Sequence, residues 1–90
     1  MVDGGFMRGA DVVKAIALGA QIVGLGRLQC LGLAAAGQAG LERALELLED
    51  EIRICLGLLG VTSYSQLDAS YVREAPAVTD PHVLSAFPLL

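Results

Sequence analysis

The chain contains no tryptophan, and aromatic residues make up only 4% of it. Its six lysines and arginines are outnumbered by ten aspartates and glutamates, for a net charge of −4, and no basic residues run together. A nucleic-acid surface needs a basic patch or stripe, so no nucleic-acid partner is expected. Cysteine is sparse too. Cys30 and Cys55 lie far apart, with neither CxxC spacing nor a neighbouring histidine, so each is expected to be a small buried hydrophobe in a reducing compartment rather than half of a disulfide or a metal ligand. Long apolar runs are also missing. Residues 15–26 are apolar apart from Gln21, but Gly19, Gly24 and Gly26 interrupt them and Arg27 stops them. That falls well short of the roughly 20 apolar residues of a spanning helix. The N-terminus has no basic region followed by an apolar stretch, and Pro88-Leu89-Leu90 is not a peroxisomal address. These features predict no transmembrane segment and a cytoplasmic location.

What the chain has in excess is hydrophobicity: 54% of its 90 residues are apolar, with a mean hydropathy of +0.61. A domain this small has a poor ratio of core to surface, so the excess predicts elements that neighbours cover. Parallel strands buried on both faces read as continuous apolar runs in this way. A homo-oligomer would meet the same need. The acidic cluster Glu46, Glu49, Asp50 and Glu51 reads as a solvated helix face.

Along the chain, Met1-Val2-Asp3-Gly4-Gly5 reads as the end of a strand entering a glycine turn. Residues 10–18 form a helix, with Asp11 in its first turn, Val12, Val13, Ile16 and Ala17 on its buried face and Gly19 at its end. Residues 21–25 read as a short buried strand. A glycine turn, a helix and a strand in this order define an α/β unit with a parallel sheet. After Gly26-Arg27 comes a short helical stretch over residues 28–36, punctuated by Gly37 and Gly40. A long helix follows over residues 41–59. Its apolar residues Leu41, Leu45, Leu48, Ile52, Cys55, Leu56 and Leu59 recur every three or four positions, a one-sided stripe expected to make core contacts, and Gly60 ends it. Ser63 and Gln66 have the spacing of a capping box for a last short helix, from which Leu67 and Tyr71 are expected to pack back on the long one. Pro76, Pro81 and Pro88 stop any further helix, so residues 73–90 are expected to form an extended arm. The C-terminal leucines, with Leu84, Ala86 and Phe87, make an apolar tip.

Two turns carry the chemistry. Asp3-Gly4-Gly5 and Gly26-Arg27 each follow a strand and precede a helical stretch. In a parallel sheet both therefore lie at the carboxyl ends of adjacent strands and face one site. Backbone N–H groups at such turns, backed by a helix N-terminus, attract phosphate. Arg27 adds a permanent charge with a fork suited to phosphate oxygens. In (β/α)8 barrels, a phosphate site commonly follows the last two strands near a short extra helix.

Residues 3–20, Asp-Gly-Gly-Phe-Met-Arg-Gly-Ala-Asp-Val-Val-Lys-Ala-Ile-Ala-Leu-Gly-Ala, followed by Gly26-Arg27, resemble the signature of the FMN-dependent 2-hydroxy-acid dehydrogenases, the family of glycolate oxidase, lactate oxidase and dehydrogenase, and mandelate dehydrogenase. The stretch Leu33-Ala34-Ala35-Ala36-Gly37-Gln38-Ala39-Gly40 with the long helix, and Leu59-Gly60-Val61-Thr62-Ser63 with Leu67, resemble that family's closing segments. The resemblance covers residues 2–72. It implies an α/β fold in which residues 1–72 are the C-terminal part of a (β/α)8 barrel, from the end of the seventh strand to the eighth helix, mostly helical as an isolated chain. It also implies FMN as cofactor, with Asp3, Gly4, Gly5, Gly26 and Arg27 lining its phosphate and ribityl region, and oxidation of a 2-hydroxy acid in a complete barrel. Met7 stands where the family has a phosphate-contacting arginine. Methionine donates no hydrogen bond, so the adjacent Arg8 is the candidate to replace it. The family's catalytic histidine and carboxylate-binding arginine lie upstream of the matched segment. His82, in the tail, does not correspond to that base, so the chain carries no catalytic residue of the family. Two alternatives stay open. One is a piece of another phosphate-binding barrel, such as an IMP dehydrogenase or a type 2 isopentenyl diphosphate isomerase. The other is a non-catalytic gene fragment or a helical module that self-associates.

Overall fold

The computed structural model describes residues 1–76. The expectations for residues 77–90, His82 and the apolar tip among them, lie outside the described residues. In chain order the elements are strand β1 (Val2–Asp3), helix α1 (Gly9–Ala17), strand β2 (Val23–Gly24) and helix α2 (Arg27–Leu59), followed by two 3-10 turns, Tyr64–Gln66 and Ala69–Tyr71. The strands pair in parallel, with Val2 opposite Val23 and Asp3 opposite Gly24, and α1 crosses between them as the βαβ pattern requires. The second strand is shorter than the five residues expected, because a ladder is only as long as its shorter member. The Val2 N–H also bonds the Ile22 carbonyl at 3.0 Å, so the pairing starts just before β2.

Helix α1 forms where the sequence places it. One oxygen of the Asp11 carboxylate accepts the N–H groups of Met7 at 3.1 Å and Arg8 at 3.0 Å. It thereby satisfies donors that a helix start leaves unpaired and sets negative charge at the positive end of the dipole. Val12, Val13 and Ala17 are buried, and Val12 meets Phe6 and Leu48 in the core, with Ile16 and Ile52 packed against them. The helix closes in a Schellman arrangement, in which Gly19 N–H bonds Ile16 O at 3.0 Å and Ala20 N–H bonds Ala15 O at 3.0 Å.

Helix α2 is two arms meeting at a corner. Ala36 (φ −154°, ψ 26°) and Gly37 (φ 61°, ψ −138°) leave helical geometry, at the last residue of the first helix read from the sequence and the first of the gap that follows it. Gly37 occupies a backbone region that only glycine enters without strain. Across the corner the two arms approach so closely that a Cβ on Gly32 would lie 2.9 Å from the Gly40 carbonyl oxygen. The second arm ends as α1 does: Gly60 N–H bonds Gly57 O at 3.1 Å, Val61 N–H bonds Leu56 O at 3.1 Å, and Val61 is buried.

Three expectations need correction. Of the long apolar stripe only Leu48 is buried, while Leu45 is 47% exposed and Leu59 37%. The nine-residue α1 is about 14 Å long, so it covers only the middle of a much longer helix. Neither cysteine is buried: Cys30 is exposed, on the uncovered first arm of α2, and Cys55 is half-buried. Nor does Ser63 cap a helix in the expected way. The Gln66 side chain accepts the Thr62 N–H at 2.7 Å, and the Ser63 hydroxyl instead meets that of Ser65 at 2.8 Å. Two 3-10 turns result, and both lie against α1. Among the described residues, no helix is long and apolar enough to cross a membrane.

The contrast between two glycines of α2 tests the corner. Gly37→Ala is expected to lower stability by about 1–3 kcal/mol through backbone strain. Gly57→Ala, where an added Cβ meets nothing within 4 Å, should raise it by about 0.5–1 kcal/mol. Urea unfolding followed by circular dichroism reads both, and equal effects would contradict the corner.

Candidate functional site

Because β1 and β2 run parallel and adjacent, their carboxyl ends bring the two glycine turns together. Between the turns lies an open cleft of ≈ 290 Å³ whose lining includes Asp3, Gly4, Gly5, Met7, Gly26 and Arg27. Gly4 and Gly5 both take left-handed conformations, with φ of 103° and 79°, which turns the chain sharply as it leaves β1. On the opposite wall α2 begins at Arg27, and its first helical bond runs from Cys30 N–H to Gly26 O at 3.2 Å. The N–H groups of Leu28 and Gln29 precede that bond and have no acceptor within the helix. No acidic residue stands in the first turn of α2, so the positive end of its dipole is not neutralised from within. A Cβ at Gly26 would meet nothing within 4 Å, and the mouth on that side is open.

The groups present suit a phosphate monoester. Backbone donors and an exposed guanidinium provide for the anion, while the exposed carboxylate of Asp3 beside them suits a hydroxyl donor. Small-molecule sites span roughly 300–1,000 Å³. A cleft at the bottom of that range takes the end of a cofactor rather than the whole of one. Among the described residues, no three histidine, cysteine, aspartate or glutamate side chains gather as a metal site.

Five of the six candidate residues, Asp3, Gly4, Gly5, Gly26 and Arg27, line this cleft. The sixth, Arg8, does not. Its Nε lies 2.8 Å from Glu51 Oε1 and 3.1 Å from Oε2, so Arg8 is tied to α2 instead of replacing the donor that Met7 lacks. The same carboxylate accepts the Gly9 N–H at 2.7 Å. The helices approach tightly here, since a Cβ on Gly9 would lie 2.6 Å from the Ile52 backbone nitrogen. Sequence reasoning missed Glu51 because it counted it among solvated acids. Its neighbours do behave that way: Glu46 pairs with Arg43 at 3.1 Å and Glu49 with Arg53 at 2.8 Å, both on the surface. The signal that separates Glu51 is its place three residues after Leu48 and next to Ile52, at the edge of the apolar stripe. The Gly9 N–H is the main cause that holds the Glu51 carboxyl below its ordinary value. Desolvation opposes the shift, and the Arg8 hydrogen bond and charge reinforce it.

A parallel α/β unit with two glycine turns converging on an anion-suited cleft defines the class. The family model for FMN-dependent dehydrogenase matches residues 1–74, and the chain belongs to that family, whose cofactor is FMN. It is 40% identical over 72 residues to an L-lactate oxidase of Nostoc sp., covering 80% of this chain and 20% of that protein. It is 42% identical over 87 residues to glycolate oxidase 1 of Zea mays, covering 97% of this chain and 22% of the relative. With the L-lactate dehydrogenase (cytochrome) of Saccharomyces cerevisiae it shares 52% identity over 66 residues, 73% of this chain and 11% of the relative. The chain thus spans about a fifth or less of the length of these curated relatives. No solved structure matches it.

Glu51 gives a pH prediction whose sign is fixed. Its carboxyl titrates lower in the folded chain than in the unfolded one, so the unfolded chain binds the proton more readily. The stabilisation is complete above the ordinary carboxylate range and disappears as pH falls through the folded value. Melting curves taken through that acid range should show a steeper loss for the native chain than for Glu51→Gln, and parallel curves would remove Glu51 from the account.

Proposed function

We propose that the cleft holds the phosphate end of FMN. In this reading the chain is the stretch from the end of the seventh strand through the eighth helix of a (β/α)8 barrel, in a protein that oxidises a 2-hydroxy acid to a 2-keto acid. The observation that carries the proposal is the convergence of the Gly4–Gly5 turn, the acid-free N-terminus of α2 and Arg27 on one cleft. Gly5 and the first turn of α2 supply backbone donors, Arg27 supplies charge, and Asp3 accepts a ribityl hydroxyl. FMN, when bound, supplies the hydride acceptor; the residues of this cleft bind and orient its phosphate end. The names of the relatives, lactate and glycolate oxidising proteins, support a 2-hydroxy acid as the substrate class over the IMP dehydrogenase and isopentenyl diphosphate isomerase alternatives.

Riboflavin, which lacks the phosphate, provides the test. Titrations of the purified chain followed by flavin absorbance are expected to show FMN binding more tightly than riboflavin. Arg27→Ala should remove about tenfold of FMN affinity, since a charge-assisted hydrogen bond contributes about 1.5–3 kcal/mol. Met7→Arg should increase the preference for FMN by a similar factor, because Met7 lines the cleft. Equal binding of FMN and riboflavin, or binding of neither, would overturn the proposal.

A further inference from the structure

Between Asp3 at the end of β1 and Gly9 at the start of α1 the chain has only five residues, and the first four of them line one wall of the cleft. Three anchors act on this segment. The first is the β1–β2 pairing at Asp3 and Gly24. The second is Phe6, which is 8% exposed and packs with Val12 and Leu48. The third is Glu51, whose carboxylate takes both the Gly9 N–H and the Arg8 guanidinium. The last two both hold the segment to one face of α2, since Phe6 packs on Leu48 and Leu48 and Glu51 are three positions apart, neighbours on a helix surface. The far end of the segment is therefore set by α2, the helix whose other end begins at the cleft.

We infer that Glu51 is a positioning residue for the cleft: by holding Arg8 and Gly9 to α2 it sets the Gly4–Gly5 turn at the spacing from Arg27 that an anion requires. The inference rests on reading the cleft as a phosphate site, but the mechanical part of it can be read without any ligand. Glu51 lines a small pocket with Met7 and Leu28, behind the cleft and not in it, so it contacts no bound phosphate. A carboxylate there is unfavourable to an anion by charge alone. Any loss of FMN affinity on neutralising it must therefore come from geometry.

The experiment compares the native chain with Glu51→Ala and Glu51→Gln. Glu49→Gln serves as a control for surface charge, and Val61→Ala as a control destabilised elsewhere in the core. Amide proton and nitrogen resonances of Gly4, Gly5 and Gly9 are recorded without ligand, and FMN and riboflavin are then titrated. Both Glu51 variants are expected to move the Gly4 and Gly5 resonances as well as that of Gly9, and to reduce the preference for FMN over riboflavin by about tenfold, the scale of one charged hydrogen bond. The two controls should leave both readouts unchanged at a temperature where all the chains are folded. If Gly9 moves while Gly4, Gly5 and the FMN preference do not, Glu51 is only a helix tie and the inference is wrong. If the native chain shows no preference for FMN, the phosphate reading fails, and the Gly4 and Gly5 resonances alone decide whether Glu51 sets the turn. If Glu51→Ala does not fold, Glu51→Gln, which keeps one acceptor for Gly9, decides in the same way.

Discussion

The contact between α1 and the second arm of α2 is the constraint on which the other features depend. Each strand has only two residues, and an isolated pair of strands is marginal in water even when far longer. The strands stay paired because the helix between them is fastened elsewhere, by Phe6, Val12 and Leu48 from the apolar side and by Glu51 at the edge. The tightness of this approach explains why a glycine begins α1. Any side chain there would meet the backbone of α2 near Glu51 and Ile52 and push the helices apart, and the turn at the end of β1 would move with them.

This fastening also divides the labour between two neighbouring helix N-termini. Both present unpaired N–H groups and the positive end of a dipole. At α1 the protein fills the position itself: Asp11 takes the N–H groups of Met7 and Arg8, and Glu51 takes that of Gly9. At α2 the first turn has no acid, and it opens into the cleft. On the proposed reading, an anion would be disfavoured by internal carboxylates at α1 and favoured by the dipole of α2.

Much of this was legible in the sequence because its causes are local. Glycine turns after apolar runs, an aspartate in a first helical turn and the glycines past the ends of α1 and α2 each act within a few residues, and α1, α2 and the two glycine turns fall near where those signals put them. The five cleft residues were legible for a topological reason, since turns after adjacent parallel strands must share one end of the sheet. What escaped depended on partners distant in sequence. Arg8 and Glu51 are 43 positions apart, and nothing local distinguishes Glu51 from Glu49 except its register against Leu48. The apolar stripe of α2 was read correctly as a pattern and too generously as buried surface. Periodicity reports which face would be covered, whereas coverage depends on the length of the covering helix. Ser63 and Gln66 had capping-box spacing, but Gln66 found the nearer donor at Thr62, and the helix shrank to a 3-10 turn.

Met7 shows how the two halves of the site compete. Its side chain lies between the cleft and the small pocket formed with Leu28, Leu47, Leu48 and Glu51. A methionine there fills apolar space against α2 and adds nothing to anion binding. An arginine at the same place would stand between a phosphate in front and the Glu51 carboxylate behind. Glu51 is already engaged by Arg8 and Gly9, so its remaining capacity to accept a second guanidinium is small, and an anion in the cleft would be the stronger claimant. In this chain, by contrast, the basic side chain lining the cleft is Arg27, with the Asp3 carboxylate beside it, and on the proposed reading the rest of the attraction would come from backbone dipoles whose positions depend on how α1 is seated. If the cleft takes a phosphate as proposed, its affinity would depend on packing as much as on charge. On the inference drawn for Glu51, the backbone donors of the first wall would lie where the α1–α2 contact puts them, and Met7, which donates no hydrogen bond, would not correct an error in that placement.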